Sequence, residues 1–271
     1  MPVQNMPKHS TAPDMSTINN FLLAVVSCEK HIQKRVPYLQ KYCINSTPHI
    51  IFTGSNSNVY YKNQIILNCG DGYHDLKLKT LKLIEWFLTE TDKEFLIKID
   101  DDCFIDTERL DVFRHDYAGV VSTYYAFLKN KMHHLKYIKN KCSHEQIIDY
   151  DLTVSDDFKY AEGGCYVLSR KSCKLILEMY TKLGGVPFIQ EDMAIGYLLN
   201  VAGVEVTDYA YRCPWYDINR SNISFHPCSL FHMHKLASCV DFHFRIKVCN
   251  SLLRVNPYYA EYFKTDGQIK I

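Results

Sequence analysis

Three consecutive carboxylates, Asp100, Asp101 and Asp102, end an apolar run that begins at Phe95. Like charges side by side cost free energy unless a cation or another positive group offsets them. Carboxylate oxygens are hard donors suited to Mg²⁺ or Mn²⁺. With residues 95–99 as a buried strand, the acids stand at its carboxyl end, the edge where open α/β sheets bind ligands. In an extended run the first and third side chains share a side. Asp100 and Asp102 therefore converge on one ligand, and Asp101 points elsewhere. A second acidic pair, Glu191-Asp192, follows Pro187-Phe188-Ile189 and opens an apolar stretch. Its place at a helix N-terminus favours an ionised carboxylate through the helix dipole. His232 and His234 alternate, and neutral imidazole is an ordinary ligand for such cations.

These groups need a scaffold. Residues 21–27 form an apolar run suited to a buried strand. Residues 29–42 suit a helix whose register Pro37 limits. Residues 49–53 and 64–67 read as further strands. This strand–helix–strand alternation suggests a parallel sheet with crossover helices. Over 73–90, Leu76, Leu81, Ile84, Phe87 and Leu88 recur near helical spacing. Asp106-Thr107-Glu108 suits the start of a short helix through Leu110. Residues 119–125 are β-like, and 127–159 form a long excursion of the kind that carries function. Gly163-Gly164 reads as a turn entering a strand that ends at Ser169. Residues 170–183 form a helix ended by Gly184-Gly185 and Pro187. Residues 191–202 form another, ended by Gly203, with a strand over 204–207.

The bulk properties exclude some classes. A net charge of +1 gives no argument for nucleic acid or an anionic membrane as partner. Eleven cysteines, with no C-x-x-C pair, fit a reduced compartment better than a disulfide framework. The spacing of His232, His234, Cys239, His243 and Cys249 matches no usual zinc pattern. The first apolar run is far too short to span a membrane. The chain is expected to be soluble and cytoplasmic, as for a microbial protein or a viral one in host cytoplasm.

Four segments in order carry a family resemblance. Gly70-Asp71-Gly72-Tyr73-His74-Asp75-Leu76-Lys77-Leu78-Lys79-Thr80 is similar to a D-x-Y-x-N-L-T-L-K-T segment, with Asp75 where Asn is usual. Lys98-Ile99-Asp100-Asp101-Asp102 matches a K-x-D-D-D metal motif. Tyr160-Ala161-Glu162-Gly163-Gly164-Cys165-Tyr166-Val167-Leu168-Ser169 is similar to a Y-P-x-Y-x-x-G-x-G-Y-x-L-S segment. Glu191-Asp192-Met193-Ala194-Ile195-Gly196 is similar to E-D-V-x-x-G, and His234-Lys235 to a late H-K. Together they resemble the β1,3-galactosyltransferase, N-acetylglucosaminyltransferase and fringe group of inverting glycosyltransferases. The agreement runs from about residue 20 to residue 240. No segment of this sequence reads as the family's membrane anchor, and its early R-x-x-I-R-x-T-W segment is not evident, although Lys34-Arg35 lies roughly there.

The resemblance implies an α/β fold of GT-A type: a Rossmann-like mixed sheet flanked by helices, with a metal site at the carboxyl end of a central strand. The domain organisation expected is a flexible tail over 1–20, one catalytic domain over 21–250 and a C-terminal extension over 251–271. It implies transfer of a hexose or N-acetylhexosamine from a UDP-sugar to a glycan or glycoconjugate hydroxyl with inversion, and Mn²⁺ or Mg²⁺ as cofactor. Asp102 is then the direct metal ligand and His234 the third-ligand candidate, with His232 as alternate. Asp100 acts through water or on the donor's hydroxyls.

Single displacement needs one base within reach of the acceptor hydroxyl. Asp192 is assigned that role and its rival Glu191 the acceptor side. Asp101, Lys79, Asp71, Arg35, Gly163 and Gly164 are the donor-binding candidates. Asp71 is either an acid near a helix N-terminus or a donor contact. Lys79 is either a solvated or ion-paired lysine or a group near Asp100 or the diphosphate. Two other readings compete: a lectin-like protein of the same fold without turnover, and a metal-dependent phosphohydrolase.

Overall fold

The computed structural model describes residues 20–40, 44, 47–54, 61–101, 115–129, 136, 141–142, 157–208, 210–212 and 230–232. The chain begins with β1 (Phe21–Val26), α1 (Glu29–Leu39), β2 (His49–Gly54) and β3 (Gln64–Leu67). A short 3-10 turn, Tyr73–Asp75, leads into α2 (Leu76–Glu90), then β4 (Phe95–Asp100). Next come β5 (Tyr117–Thr123), α3 (Tyr124–Lys129) and β6 (Lys159–Ser169). Two helices follow, α4 (Arg170–Leu183) and α5 (Glu191–Val201). The short strands β7 (Thr207–Asp208), β8 (Ala210–Arg212) and β9 (Leu230–His232) come last.

Seven strands form one mixed sheet in the order β3-β2-β1-β4-β6-β5-β7. β3, β2, β1 and β4 run parallel, and β6 is antiparallel to both β4 and β5. The mixed, helix-flanked sheet is the architecture the resemblance implies. The wholly parallel sheet suggested by the strand–helix alternation is corrected by β6, which enters the sheet between β4 and β5 and pairs antiparallel with both. The chain runs from β1 through α1 to β2 on one side, while β4 joins β1 on the other. The carboxyl ends of β1 and β4 therefore flank a topological switch point, where such sheets open a crevice.

Alternation sets which residues face which layer. Leu22, Ala24, Val26 and Leu96 pack with Leu83, Ile84 and Phe87 of α2, Ile176 of α4 and Leu198 and Leu199 of α5 in one core. Lys98 and Asp100 continue the Leu96 side toward α5. Ile97 and Ile99 point to the other face and are fully buried, as are Ile32 and Val36 of α1. Arg170 joins α4 to the end of α2 by donating to the carbonyls of Leu88, Thr91 and Lys93. The α4 helix starts with the Ser169 side chain accepting from Ser172 N–H and ends at Gly184, which takes a φ of 67°. That left-handed stop suits glycine, which carries no Cβ.

Three local expectations are revised. Gly163 and Gly164 do not turn into a strand but lie within β6. Between the pairs Gly119↔Tyr166 and Val121↔Ala161, β5 advances by two residues and β6 by five. The intervening residues arch out of the ladder as a bulge, which re-aims them. The strand expected over 119–125 runs from Tyr117 to Thr123, and Tyr124 already belongs to α3. The strand expected over 204–207 is only Thr207–Asp208, since the N–H groups of Gly203 and Val204 bond back to the end of α5. The helix expected through Leu110, the tail over residues 1–19 and the extension over 251–271 lie outside the described residues. So does nearly all of the excursion between α3 and β6.

Candidate active site

Two polar networks stand at the carboxyl ends of the parallel strands. The first begins at Ser27, directly after β1. Its hydroxyl donates to Asp101 Oδ2 at 2.6 Å, and its carbonyl accepts from Lys79 Nζ at 3.0 Å. Arg35 of α1 donates to Asp101 Oδ1 at 2.7 Å. Lys79 pairs with Asp71 Oδ1 at 2.5 Å, and Asp71 also accepts the backbone N–H groups of Glu29 and Gly54. Burial alone would raise the Asp71 carboxyl. Lys79 and the two amides outweigh it and hold the group below the usual range.

This network brings together Arg35, Asp101, Lys79 and Asp71, four donor-side candidates far apart in sequence. Asp101, on the side away from Asp100, lies 7% exposed, clamped between Ser27 and Arg35. A carboxylate one residue past a central strand is desolvated there and needs those donors. Of the alternatives for Asp71, its partners favour neither simple form. It receives the first amide of α1 from a distance and ties the ends of β1 and β2 together. Lys79, 2% exposed, is an ion-paired lysine.

The second network joins β4, β6 and α5. Lys98 lies inside β4 and is fully buried. Its ammonium donates to Asp100 Oδ1 at 2.6 Å and to the Gly163 carbonyl at 2.5 Å, with Glu191 Oε2 at 3.4 Å. The Tyr166 hydroxyl donates to Glu191 Oε1. Gly163 N–H donates to Asp192 Oδ2 at 2.9 Å, and Met193 N–H to Asp192 Oδ1 at 2.9 Å. A Cβ on Gly163 would meet Glu191 Oε2 at 3.3 Å and Asp192 Oδ2 at 3.4 Å, so both acids of α5 lie directly against this stretch of β6.

The two acids of α5 are placed differently. Asp192 is half-buried and has both oxygens oriented by N–H groups. Burial pushes its carboxyl up, against the Gly163 and Met193 N–H groups and Lys98. Glu191 is 3% exposed and engaged by Lys98 and Tyr166. Burial raises its carboxyl to about 7, opposed by Lys98. Expected on the acceptor side, Glu191 instead stands behind Asp192 as a buried support. Adjacent helical residues diverge by about a quarter-turn or more, which is why one acid reaches the surface and the other the core.

Of the expected metal ligands, Asp102 and His234 lie outside the described residues. Asp100 is at the carboxyl end of β4 with its side chain 23% exposed. Lys98 takes Oδ1, and among the described residues no donor takes Oδ2. A partly exposed, singly engaged carboxylate fits a hard divalent cation. Among the described residues no three His, Cys, Asp or Glu side chains converge as a metal site. His232 ends β9, its backbone paired beside Arg212. Gly164 stands one step past the last β4–β6 pair, Ile99↔Cys165, across from Asp100.

Sequence reasoning assigned no role to Lys98, Ser27 or Tyr166. For Lys98 a signal existed. A lysine midway through the apolar run Phe95-Leu96-Ile97-Lys98-Ile99 must be buried if the strand is central, and a buried ammonium needs acceptors.

The sequence matches the model of the family described as galactosyltransferase over residues 53–210, more than half of the chain. No curated protein sequence matches it. Among solved structures it is similar to the galactosyltransferase LgtC in complex with donor and acceptor sugar analogues, at 10% identity and a TM-score of 0.41, covering 78% of this chain and 86% of that one. An active-site mutant of LgtC is similar at 10% identity and a TM-score of 0.43, covering 84% and 94%.

Proposed function

This chain belongs to the galactosyltransferase family and is a sugar-transferring enzyme, and from that premise we propose a metal-dependent, inverting reaction on a UDP-sugar. A hexose or N-acetylhexosamine (galactose, N-acetylglucosamine or glucose) passes to an acceptor hydroxyl of a glycan or glycoconjugate in a β1,3 linkage. One observation carries the reading. The carboxylates of Asp100 and Asp192, 92 positions apart in sequence, are held on one network at the carboxyl end of β4.

Asp192 takes the proton of the acceptor hydroxyl as its oxygen attacks the anomeric carbon. The bond from that carbon to the diphosphate breaks on the opposite side, which inverts the centre. The N–H groups of Gly163 and Met193 orient the carboxylate, and each oxygen keeps a lone pair for the proton. Its raised affinity for protons makes it a stronger base than an ordinary aspartate. Asp102, Asp100 and His234 would hold Mn²⁺ or Mg²⁺, which supplies positive charge to the leaving diphosphate. Gly163 and Gly164 let backbone approach the donor sugar. Arg35, Asp101, Lys79 and Asp71 brace the loops that end β1, β2 and β4 at the switch point, where a nucleotide fits. No described helix is long and apolar enough to cross a membrane.

The test is UDP release. Purified protein is incubated with Mn²⁺, a panel of UDP-sugars and glycan acceptors. Release is expected with at least one donor, lost with a chelator and restored by Mn²⁺, and abolished in Asp102→Ala and Asp192→Ala. Donor binding without turnover on a broad acceptor panel would favour the lectin-like reading. Metal-dependent phosphate release from simple monoesters would overturn both.

A further inference from the structure

Lys98 occupies an unusual position for a charge. It lies inside a central strand, fully buried, where an apolar residue would pack without desolvation cost. An ammonium carries three N–H donors, and the acceptors around this one include Asp100 Oδ1, the Gly163 carbonyl and Glu191 Oε2. The face of the Tyr166 ring lies 5.4 Å away. Each partner comes from a different element: the end of β4, the bulge of β6 and the first turn of α5. Gly163 then passes the connection on, because its N–H holds Asp192 while its carbonyl is held by Lys98. Only Asp100–Lys98–Gly163–Asp192 is needed to connect the two carboxylates.

We propose that Lys98 is a positioning residue that sets the donor-side carboxylate Asp100 and the acceptor-side base Asp192 relative to one another. Its consequence for turnover rests on the glycosyltransferase reading; its hold on Gly163 does not. Simple neutralisation of Glu191 would need one contact. The contacts of Lys98 to Asp100 at 2.6 Å and to the Gly163 peptide at 2.5 Å are both shorter than its 3.4 Å contact to Glu191. An apolar residue at position 98 would free both at once, so the donor end and the base end would lose their common anchor.

Lys98→Met alone would leave Glu191 buried without its counter-charge, and loss of folding would then mask any other effect. The informative variant is Lys98→Met combined with Glu191→Gln, which removes one positive and one negative charge together. It is compared with Glu191→Gln alone. Folding is checked by circular dichroism, and amide hydrogen exchange is read at Gly163. Affinity for UDP with Mn²⁺ is measured by calorimetry, and kcat by UDP release. Relative to Glu191→Gln, the double variant is expected to exchange the Gly163 amide about tenfold faster and to bind UDP with Mn²⁺ about tenfold more weakly, as for a lost charge-assisted hydrogen bond. Its kcat is expected to fall roughly a hundredfold, as for a reacting group displaced by about 1 Å. A folded double variant that matches Glu191→Gln in exchange, affinity and kcat overturns the proposal. If the wild type neither binds UDP with Mn²⁺ nor releases it from any UDP-sugar, the glycosyltransferase reading fails. The exchange arm still decides on Lys98: faster exchange supports the anchor, and unchanged exchange overturns it.

Discussion

Asp192 and Glu191 are neighbours with the same chemistry and different environments, and each carries its own prediction. Burial raises Asp192, while the N–H groups of Gly163 and Met193 and the charge of Lys98 pull the other way. The acidic limb of kcat/KM against pH should therefore lie above the ordinary aspartate value and vanish in Asp192→Asn. That variant should lose roughly 10²- to 10⁴-fold in kcat and keep its affinity for UDP. An unchanged kcat would remove Asp192 from the chemistry.

Glu191 predicts a stability effect. Its folded value of about 7 exceeds the ordinary 4.5, so the folded state binds its proton more tightly. The contribution is fully present below the ordinary value and is lost as pH rises through about 7. Glu191→Gln mimics the protonated form, so its Tm should gain on the wild type between pH 4.5 and 7. A gap that is constant across that window would contradict the burial argument. Asp71 has the opposite sign, with stability present above the ordinary 3.8 and lost as pH falls. It is common to both proteins and cancels in the difference.

At the scale of elements, the contact between α5 and β6 decides where the base sits. Gly196 lies one helical turn past Asp192, and a Cβ there would collide with the Cβ of Tyr160 and come within 3.0 Å of its Cα. That obstacle includes backbone, so it does not swing aside. Gly196→Ala should cost about 1–3 kcal/mol, the usual range for overpacking, measured by urea unfolding. It should also lower kcat, since α5 must shift with Asp192 on it. Lys77 supports the same arrangement from α2, donating to the carbonyls of Val186 and Phe188 in the loop before α5. The elements themselves were largely readable. Residues 76–88 show helical spacing, and the apolar runs at 21, 49, 64 and 95 each became a strand. The bulge at Gly163 was not readable, because a pair of glycines suits a turn as well as a strand that must leave its ladder.

For the whole molecule, the switch point between β1 and β4 makes a testable claim about ligand linkage. A ligand that binds only the folded state stabilises it by mass action, about 2.7 kcal/mol at a hundred times its Kd. UDP with Mn²⁺ should raise Tm, UDP with a chelator should raise it much less, and Asp102→Ala should abolish the difference. Equal shifts with and without the metal would argue against a cation bridging protein and diphosphate.

Residue types and spacing alone determined the family resemblance, the strand ending in three acids, the acidic pair at a helix start and most element boundaries. Those features are local, written in hydrophobic period and in short runs of like chemistry. Only the tertiary structure decided which of those acids act together. Asp101 turns inward to Ser27 and Arg35 because the side chains of a strand alternate between faces. Asp100 meets Glu191 and Asp192 through Lys98 and Gly163 because β6 returns antiparallel beside β4 and α5 packs across it. A lone lysine in an apolar run signals that it needs partners. Which partners it finds depends on which strand comes to lie alongside, and that depends on the packing of the whole chain.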